Sequence, residues 1–442
     1  MTAHNEIREV DSVMAKNTAK EYRNQVMYSV FVRNHSVEGT FEAVRRDLER
    51  IKALGVDVIW LMPVHPIGKT ARKGTAGSPY AISDYRAVNP DYGTLEDFRR
   101  LVEDIHRLNM KCIIDVVYNH TSPDSWLAHN HPEWFYHKSD GSFGNHVGDW
   151  TDIVDLDYSN PGLWEYQIET LKYWAAMVDG FRCDVASLVP LDFWLRAREE
   201  VEAVRPGCIW LAESVEPFFI QAARGQGITA LSDSEIFQAF DLSYEYDIYP
   251  YFQDYLDGAL PLSRYAEAVT QQESIYPDNY VKLRFLENHD RLRAAAAIPG
   301  EAALLNWTAF LYFQKGMTLL YAGQERGCVH VPDLFEKDPV DWASGPDQTE
   351  LLRRLYALKQ NPLLTDSAYR VRALAGDILR AEHCSGGRQL TGIFSLKGNC
   401  GLAAVEAPDG IYPNLAVGGS VEVKFGRVSC QGGPIIFEAP RG

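Results

Sequence analysis

Residues 180–184 read Gly-Phe-Arg-Cys-Asp, which is the pattern of a buried strand that ends in an acidic residue. Side chains two positions apart in a strand point to the same face, so Arg182 and Asp184 share one face. Three other apolar stretches also end in polar residues: Asp115–His120, Glu213 and Glu287–Asp290. If all four stretches are strands of one parallel barrel, their polar ends meet at the same rim.

Short apolar strands, turns and amphipathic helices alternate along most of the chain. We predict eight strands, at Val26–Val32, Val58–Met62, Cys112–Val117, Gly180–Asp184, Ile209–Ala212, Ala239–Ser243, Val281–Leu286 and Met317–Tyr321. Helices are predicted between them, for example at Thr40–Leu54 and Thr94–Leu108, which both begin with a Thr that can cap the helix. This alternation predicts an α/β fold, the (β/α)8 TIM barrel, whose chemistry lies at the carboxyl ends of the strands.

Two stretches do not follow the alternation. Residues 119–158 form a long connection after strand three, so we predict a small inserted domain there. From residue 364 onward, short strand-like runs separated by Gly, Asn and Pro replace the helices, which predicts a C-terminal β-sandwich. The predicted domains are therefore a catalytic barrel at residues 1–118 and 159–363, the inserted domain at 119–158, and the sandwich at 364–442.

The composition excludes several classes of protein. The 442 residues carry a formal net charge of −17, which argues against binding to a nucleic-acid backbone. No stretch approaches the roughly 18 consecutive apolar residues of a membrane span. The first residues lack the pattern of a signal peptide, and the seven cysteines show no metal-ligand spacing. We therefore expect a cytoplasmic protein with reduced thiols and no membrane partner; the sequence leaves the oligomeric state open.

The acidic residues at the predicted rim have the properties needed to cleave a glycosidic bond. A guanidinium beside a carboxylate keeps it ionised, so Arg182 makes Asp184 a credible nucleophile. Burial and nearby acids raise the pKa of a carboxyl, which would suit Glu213 to the role of general acid. Asp290 could stabilise a cationic transition state. Taken singly, these residues could form a structural ion pair, a solvated loop acid and a helix cap, but their coincidence at one rim favours catalysis.

The predicted strand order also indicates the stereochemistry of the reaction. Asp184 and Glu213 follow neighbouring strands, and neighbouring strands lie about 4.7–4.9 Å apart. Retaining glycosidases need carboxyl groups about 5–5.5 Å apart, whereas inverting enzymes need roughly 6.5–9.5 Å. We therefore predict that the anomeric configuration is retained.

With these motifs, the chain resembles the α-amylase family, glycoside hydrolase family 13, across nearly its whole length. The matching motifs are DVVYNH (Asp115–His120), GFRCD (Gly180–Asp184), the Glu213 of LAES, ENHD (Glu287–Asp290), SPYAISDY (Ser78–Tyr85), VDLDYSNP (Val154–Pro161) and YAGQE (Tyr321–Glu325). The pattern is most similar to intracellular bacterial α-amylases that act on maltodextrins.

The resemblance implies three catalytic residues. Asp184 matches the nucleophile that forms a covalent glycosyl intermediate. Glu213 matches the acid that protonates the leaving oxygen and then the base that activates water. Asp290 matches the residue that binds the ring hydroxyls and strains the sugar toward its oxocarbenium form.

The resemblance also implies four residues that bind the substrate. Arg182 matches the arginine that orients the nucleophile. His120 and His289 match histidines that bind hydroxyls of the sugar in subsite −1. Tyr80 matches the aromatic residue on which that sugar stacks, since a flat apolar ring accepts sugar C–H groups.

Three departures from the family pattern concern the leaving group and calcium. Ser187-Leu188 stands where many α-amylases have Lys-His, which leaves recognition of the leaving group open. The usual calcium of the family lies near the position of Asn119, but the inserted segment is short and has no dense cluster of carboxylates. The loop Arg33–Gly39 lacks the Asp/Asn-rich run through which some α-glucosidases of the family bind calcium. We expect no cofactor and no required metal, with calcium possible but not expected.

The leading interpretation is an enzyme that hydrolyses α-1,4-glucosidic bonds in maltooligosaccharides or starch fragments. The same mechanism would also serve an α-1,6-glucosidase, a glucanotransferase or a trehalose-forming isomerase. A third possibility is a carbohydrate-binding protein without activity, but such proteins have lost the catalytic carboxylates, and all three are present here.

Overall fold

The barrel predicted from the alternation of strands and helices is confirmed. In a computed structural model that describes residues 17–148 and 150–441, eight parallel strands close into a barrel. They are β1 (Val26–Val30), β2 (Val58–Leu61), β3 (Lys111–Val116), β4 (Gly180–Cys183), β5 (Ile209–Ala212), β6 (Leu242–Tyr244), β7 (Val281–Arg284) and β8 (Met317–Tyr321). Each strand pairs with the next strand along the chain, and β8 pairs with β1. All carboxyl ends therefore lie at one rim.

The register of the strands brings the sequence motifs to the same height in the barrel. Asp115 of β3 is the direct partner of Arg182 of β4, and Cys183 of β4 is the partner of Ala212 of β5. Asp184 and Glu213 are the next residues after these two partners. They therefore lie beside each other at the carboxyl ends of β4 and β5.

Helices cover the barrel and also form short turns at its rims. They are α1 (Val32–His35), α2 (Phe41–Ala53), α3 (Leu95–Arg107), α4 (Trp126–Asn130), α5 (Pro161–Ala175), α6 (Leu191–Glu202), α7 (Pro217–Gly225), α8 (Asp233–Ile236), α9 (Tyr249–Leu256), α10 (Leu262–Ile275), α11 (Ala294–Ala297), α12 (Glu301–Phe313) and α13 (Thr349–Lys359). The predicted caps are present: Thr40 accepts from the Ala43 N–H at 3.2 Å, and Thr94 forms a capping box with Asp97.

The sixth strand begins at Leu242 rather than at the predicted Ala239. Helix α8 is capped by Ser232 and Glu235 and continues as a turn, because the Phe240 N–H donates to the Ile236 carbonyl at 3.0 Å. The apolar residues before Leu242 therefore belong to this turn.

The segment between β3 and α5 forms a small ribbon above the rim. Its two-residue strands His120–Thr121 and Val154–Asp155 pair antiparallel, with α4 and a 3-10 turn at Pro132–Trp134 between them. His120, which lies shortly after β3 in the sequence, is thereby fixed beside the ends of the barrel strands.

The C-terminal region contains two antiparallel sheets of four strands each, in agreement with the predicted β-sandwich. Its strands are β9 (Ala368–Leu374), β10 (Ile378–Ser385), β11 (Arg388–Ser395), β12 (Cys400–Ala404), β13 (Gly410–Pro413), β14 (Ser420–Lys424), β15 (Arg427–Gln431) and β16 (Ile435–Pro440). One sheet has the order β9-β10-β11-β16 and the other β12-β15-β14-β13. Buried side chains of both sheets, such as Ile393 and Val423, pack in one core. None of the helices in the described ranges has the length and apolar character needed to cross a membrane.

Candidate active site

A single buried guanidinium organises the polar rim of the barrel. Arg182 is fully buried, and its Nη1 donates to Asp115 Oδ1 at 2.9 Å and to Asp184 Oδ1 at 2.8 Å. Its Nη2 forms an ion pair with Glu213 Oε2 at 2.9 Å. Three carboxylates from three neighbouring strands thus converge on one cation. The shared contact with Arg182 holds the carboxyl groups of Asp184 and Glu213 next to each other.

Glu213 lies in an environment that favours its protonated form. Its carboxyl is buried, and burial is the largest effect that raises its pKa well above the ordinary value; the charges of Asp184 and Asp290 raise it further, while Arg182 opposes the shift. The Val185 N–H donates to Glu213 Oε2 at 2.8 Å. A carboxyl with a raised pKa retains its proton to higher pH and can donate it to a substrate.

The backbone beyond Asp184 turns sharply to make that contact. Val185 has a φ of 36°, in the left-handed region that a β-branched residue seldom adopts. Such conformations persist only where the surrounding structure holds them, and they cluster at functional sites. Here the turn directs the Val185 N–H toward Glu213 and exposes Asp184 to the cavity.

Each of the two predicted histidines lies beside one of the acidic residues. His120 Nε2 is 4.0 Å from Asp184 Oδ2, and the Asn119 amide donates to His120 Nδ1 at 3.2 Å. His289 Nε2 lies 2.7 Å from the Tyr80 hydroxyl and 3.1 Å from Asp290 Oδ2. Burial, the largest effect, lowers the pKa of His289, so this imidazole is neutral and can donate or accept a hydrogen bond.

Tyr80 forms a flat apolar surface beside the carboxylates. Its ring stacks on the ring of His289 with centroids 5.5 Å apart and an interplanar angle of 18°. Its hydroxyl also lies 3.2 Å from Asp115 Oδ2. The ring is therefore held in one orientation, as a surface against which a sugar ring could pack.

Six of the seven predicted site residues line one cavity of about 450 Å³. They are Tyr80, His120, Asp184, Glu213, His289 and Asp290. Arg182, the seventh, is fully buried and does not line the cavity itself, but it contacts Asp184, Glu213 and the ring of Tyr80, which do. The structure thus brings together all seven residues, which come from widely separated parts of the sequence.

Several residues of this site were missed by the sequence analysis. Asp115 pairs with Arg182 and contacts Tyr80, and a charged residue within an apolar strand is a signal that it must have a buried partner. Lys73, Asp152 and Trp150 also line the cavity, and so do Arg291 and Glu216, which form an ion pair. No local sequence pattern indicated that these residues would lie there.

Glu287 of the ENHD motif does not face the cavity. It is buried, accepts from Arg293 Nη1 and from the Ala294 N–H at 2.6 Å each, and so fixes the loop that carries His289 and Asp290.

The resemblance places calcium near Asn119, beside an aspartate that is already bonded to a histidine. Asn119 and Asp155 line a second cavity of about 410 Å³, where Asp155 Oδ2 accepts from His146 Nδ1 and the His146 N–H at 2.7 Å each. Asp155 Oδ1 has no hydrogen-bond partner, but calcium needs six to eight oxygen ligands, and an imidazole already occupies the other carboxylate oxygen. Within residues 17–148 and 150–441, no group of three or more His, Cys, Asp or Glu side chains is arranged to hold a metal ion.

Comparison with solved structures shows similarity along nearly the entire chain. A crystal structure of an alpha-amylase from Lactobacillus plantarum is 48% identical and superposes with a TM-score of 0.93, covering 95% of this chain and 99% of that chain. A noncanonic maltogenic alpha-amylase, AmyB from Thermotoga neapolitana, is 33% identical with a TM-score of 0.84 and the same coverage.

A curated relative carries a different activity in its name. The alpha-1,4-glucan:maltose-1-phosphate maltosyltransferase of Myxococcus xanthus is 31% identical over 312 residues, which cover 62% of this chain and 44% of that protein. The chain thus spans less than half the length of this relative.

Both parts of the chain match known families. The family described as the catalytic domain of alpha amylase matches residues 14–133 and 123–368, and the bacterial alpha amylase C-terminal domain matches residues 370–437. The matches follow the barrel with its ribbon and then the C-terminal sheets. This chain therefore belongs to the α-amylase family, glycoside hydrolase family 13, whose members are glycoside hydrolases and transferases.

Proposed function

We propose that this protein hydrolyses α-1,4-glucosidic bonds in maltooligosaccharides and retains the configuration of the anomeric carbon. The observation that carries the proposal is the shared guanidinium: Arg182 holds Asp184 and Glu213 at its two Nη nitrogens. This contact keeps the two carboxyl groups close together, as a retaining mechanism requires. Their residues also follow directly paired strands.

In the first step, the two carboxyl groups act on opposite sides of the scissile bond. Asp184 attacks the anomeric carbon through its carboxylate, and Glu213 transfers its proton to the glycosidic oxygen as the C–O bond breaks. The products are a glycosyl ester on Asp184 and a free sugar with a new hydroxyl group. Arg182 donates to Asp184 Oδ1 and holds that carboxyl in place, while burial raises the pKa of Glu213 and favours the protonated form that a general acid needs.

In the second step, the same residues exchange roles. Glu213, now a carboxylate, takes a proton from water, and the resulting oxygen nucleophile attacks the anomeric carbon. The ester bond to Asp184 breaks, Glu213 is protonated again, and the sugar leaves with its original configuration. Asp290 and the neutral His289 can bind ring hydroxyls as positive charge develops, and Tyr80 packs against the ring.

A direct test is incubation with maltoheptaose, panose and sucrose, with products followed by proton NMR. We expect cleavage of maltoheptaose and early appearance of the α-anomer, before mutarotation. Initial appearance of the β-anomer would contradict retention. Activity on panose without activity on maltoheptaose would instead favour an α-1,6-glucosidase, and isomerisation without new reducing ends would favour a trehalose-forming enzyme.

Maltosyl transfer is a second candidate function, because a curated relative is named for transfer from maltose 1-phosphate. Such an enzyme would use the same glycosyl ester but would pass the sugar to a glucan or to phosphate instead of water. The two functions separate when maltodextrin is incubated with inorganic phosphate. Hydrolysis produces reducing sugar whether or not phosphate is present, whereas the transferase forms maltose 1-phosphate only when phosphate is added.

We propose a cytoplasmic location for this activity. All seven cysteines are free thiols, and five of them are buried, as expected for a protein that folds in a reducing compartment.

The pH dependence of the reaction should report on Glu213. The profile of kcat/KM should be bell-shaped: the first step needs the protonated form of Glu213, whose pKa is raised, so kcat/KM should fall on the alkaline side as the pH rises through that pKa. The alkaline limb should therefore lie nearer neutrality than an ordinary Glu would place it, within about pH 4 to 9. In Glu213→Gln, assayed with maltosyl fluoride, whose leaving group needs no proton, the alkaline limb should disappear; its persistence would assign that limb to another group.

Chelation of metals should leave the enzyme unchanged. Among the described residues no group of three or more His, Cys, Asp or Glu side chains could hold a metal ion, so we expect the same kcat/KM and the same midpoint of thermal unfolding after treatment with EDTA and dialysis. Loss of activity that added Ca²⁺ restores, with Mg²⁺ as the control ion, would contradict this expectation.

A further inference from the structure

The two ends of the active-site cavity can be assigned from the order of the barrel strands, if the proposed function holds. Glu213 must lie on the side of the leaving group, because it protonates the oxygen of that group. Its strand, β5, is opposite β1 in the closed barrel, with β2 and β8 on either side of β1. The leaving group therefore lies toward β5, and the glycone, the part of the substrate on the non-reducing side of the cleaved bond, extends toward β8, β1 and β2.

The loops on the glycone side form one continuous wall. The Phe335 carbonyl, after β8, accepts from the Ala76 N–H at 2.9 Å and from the Gly77 N–H at 3.2 Å, both after β2. Arg33, after β1, donates from Nη1 to the carbonyls of Gly77 and Leu334 at 3.0 Å each. Three loops are thus joined by hydrogen bonds between backbone groups and a buried Arg.

The loops after β2 and β8 approach each other so closely at Gly74 that a side chain would not fit there. Gly74 has a φ of +62°, and a Cβ there would lie 2.5 Å from the Phe335 carbonyl oxygen. A side chain would therefore separate the loops after β2 and β8. The contact is tight enough to leave no room for a chain of sugars to pass between them.

An ion pair joins this wall to the inserted segment. Lys73 Nζ lies 3.0 Å from Asp152 Oδ1, and both residues line the 450 Å³ cavity beside Leu334 and Phe335. The Asp152 side chain is only 6% exposed, and the Lys73 ammonium also lies 5.8 Å from the centre of the Phe335 ring. A nearly buried carboxylate needs its cationic partner, so the pair holds the two segments together.

We propose that the Lys73–Asp152 pair closes the glycone end of the cavity, so that no more than two glucose units fit on that side of the cleaved bond. The enzyme then removes glucose or maltose from non-reducing ends instead of cutting at random within a chain. This inference rests on the proposed hydrolysis, which it makes specific for the position of the cut.

The test uses maltoheptaose that carries a fluorescent label at its reducing end, with products separated by chromatography at a few per cent conversion. The native enzyme should yield labelled fragments of five or six units. In Lys73→Ala/Asp152→Ala, which removes both charges, the share of fragments with two to four units should rise about fivefold or more. Lys73→Gln removes the charge but keeps most of the side chain, and it should shift the pattern of fragments in the same direction. This variant decides the question if the double variant does not fold.

The control is Lys172→Ala, which removes a partly exposed lysine that pairs with Glu169 and Glu200 on the outer helices. It should leave the pattern of fragments unchanged. Labelled fragments of two to four units from the native enzyme would show that the glycone end of the cavity is open. An unchanged pattern of fragments in both Lys73 variants would show that the Lys73–Asp152 pair does not close it. Absence of any cleavage of labelled or unlabelled maltoheptaose would instead contradict the proposed hydrolysis.

Discussion

Asp184→Asn is expected to lower kcat/KM for maltooligosaccharides by about 10⁴-fold or more, because the amide cannot form the glycosyl ester. The substitution keeps the size of the side chain, and its carbonyl oxygen can still accept from Arg182 Nη1, which lies 2.8 Å from Asp184 Oδ1 in the native protein. The fold should therefore be preserved, and binding of a maltooligosaccharide, measured by calorimetry, should change far less than the rate.

Asp192→Asn provides the matched control for this substitution. Asp192 lies exposed in the first turn of α6, so the same chemical change there should leave kcat/KM within about twofold of the native value. Equal activity of Asp184→Asn and the native enzyme would remove Asp184 from the mechanism.

Arg182→Met is expected to cost about 3–5 kcal/mol of unfolding free energy as well as activity. Methionine fills much of the same volume, but the carboxyl groups of Asp115, Asp184 and Glu213 would lose their shared cation while they remain buried, and any of them that are ionised would repel one another. Repulsion between these charges should be relieved by protonation. The loss of stability, measured by urea unfolding, should therefore be smaller at low pH than at pH 8, since the penalty is present only when the carboxyls are ionised.

Arg196→Met is the control for the removal of an arginine from an ion pair. Arg196 pairs with Glu165 and Glu200 on the surface, and its side chain is 39% exposed. An exposed pair contributes about 0–1 kcal/mol, so this variant should unfold close to the native midpoint at every pH. If both variants lost a similar amount of unfolding free energy, or if the loss in Arg182→Met did not depend on pH, the buried charges would not be the cause of the destabilisation.

Much of the barrel could be predicted because each strand is a short apolar run with its own turn signals. The strands at Ile209–Ala212 and Met317–Tyr321 agree with prediction to the residue, because polar residues or glycine lie close to both ends. Strand β6 begins later than predicted because an apolar turn precedes it, and apolar character alone does not separate a buried turn from a strand.

The position of the candidate site could be predicted from the same pattern, but its walls could not. Arg182 and Asp184 are two residues apart in one strand, so their proximity follows from strand geometry. The partners Lys73 and Asp152 belong to loops after different strands, and their contact depends on how those loops fold over the rim. Asp115 lies between these cases: its burial could be inferred from its strand, but its bond to Tyr80 could not.

The most direct test of the mechanism is to trap the glycosyl ester with 5-fluoro-α-maltosyl fluoride. The ring fluorine slows both steps, while the fluoride leaving group lets the ester form faster than it breaks down. Mass spectrometry of a digest should then show one fluoromaltosyl unit on the peptide that contains Asp184, and no adduct in Asp184→Asn. An adduct on any other residue, or turnover of the reagent by the native enzyme at the same rate as by Asp184→Asn, would contradict the account.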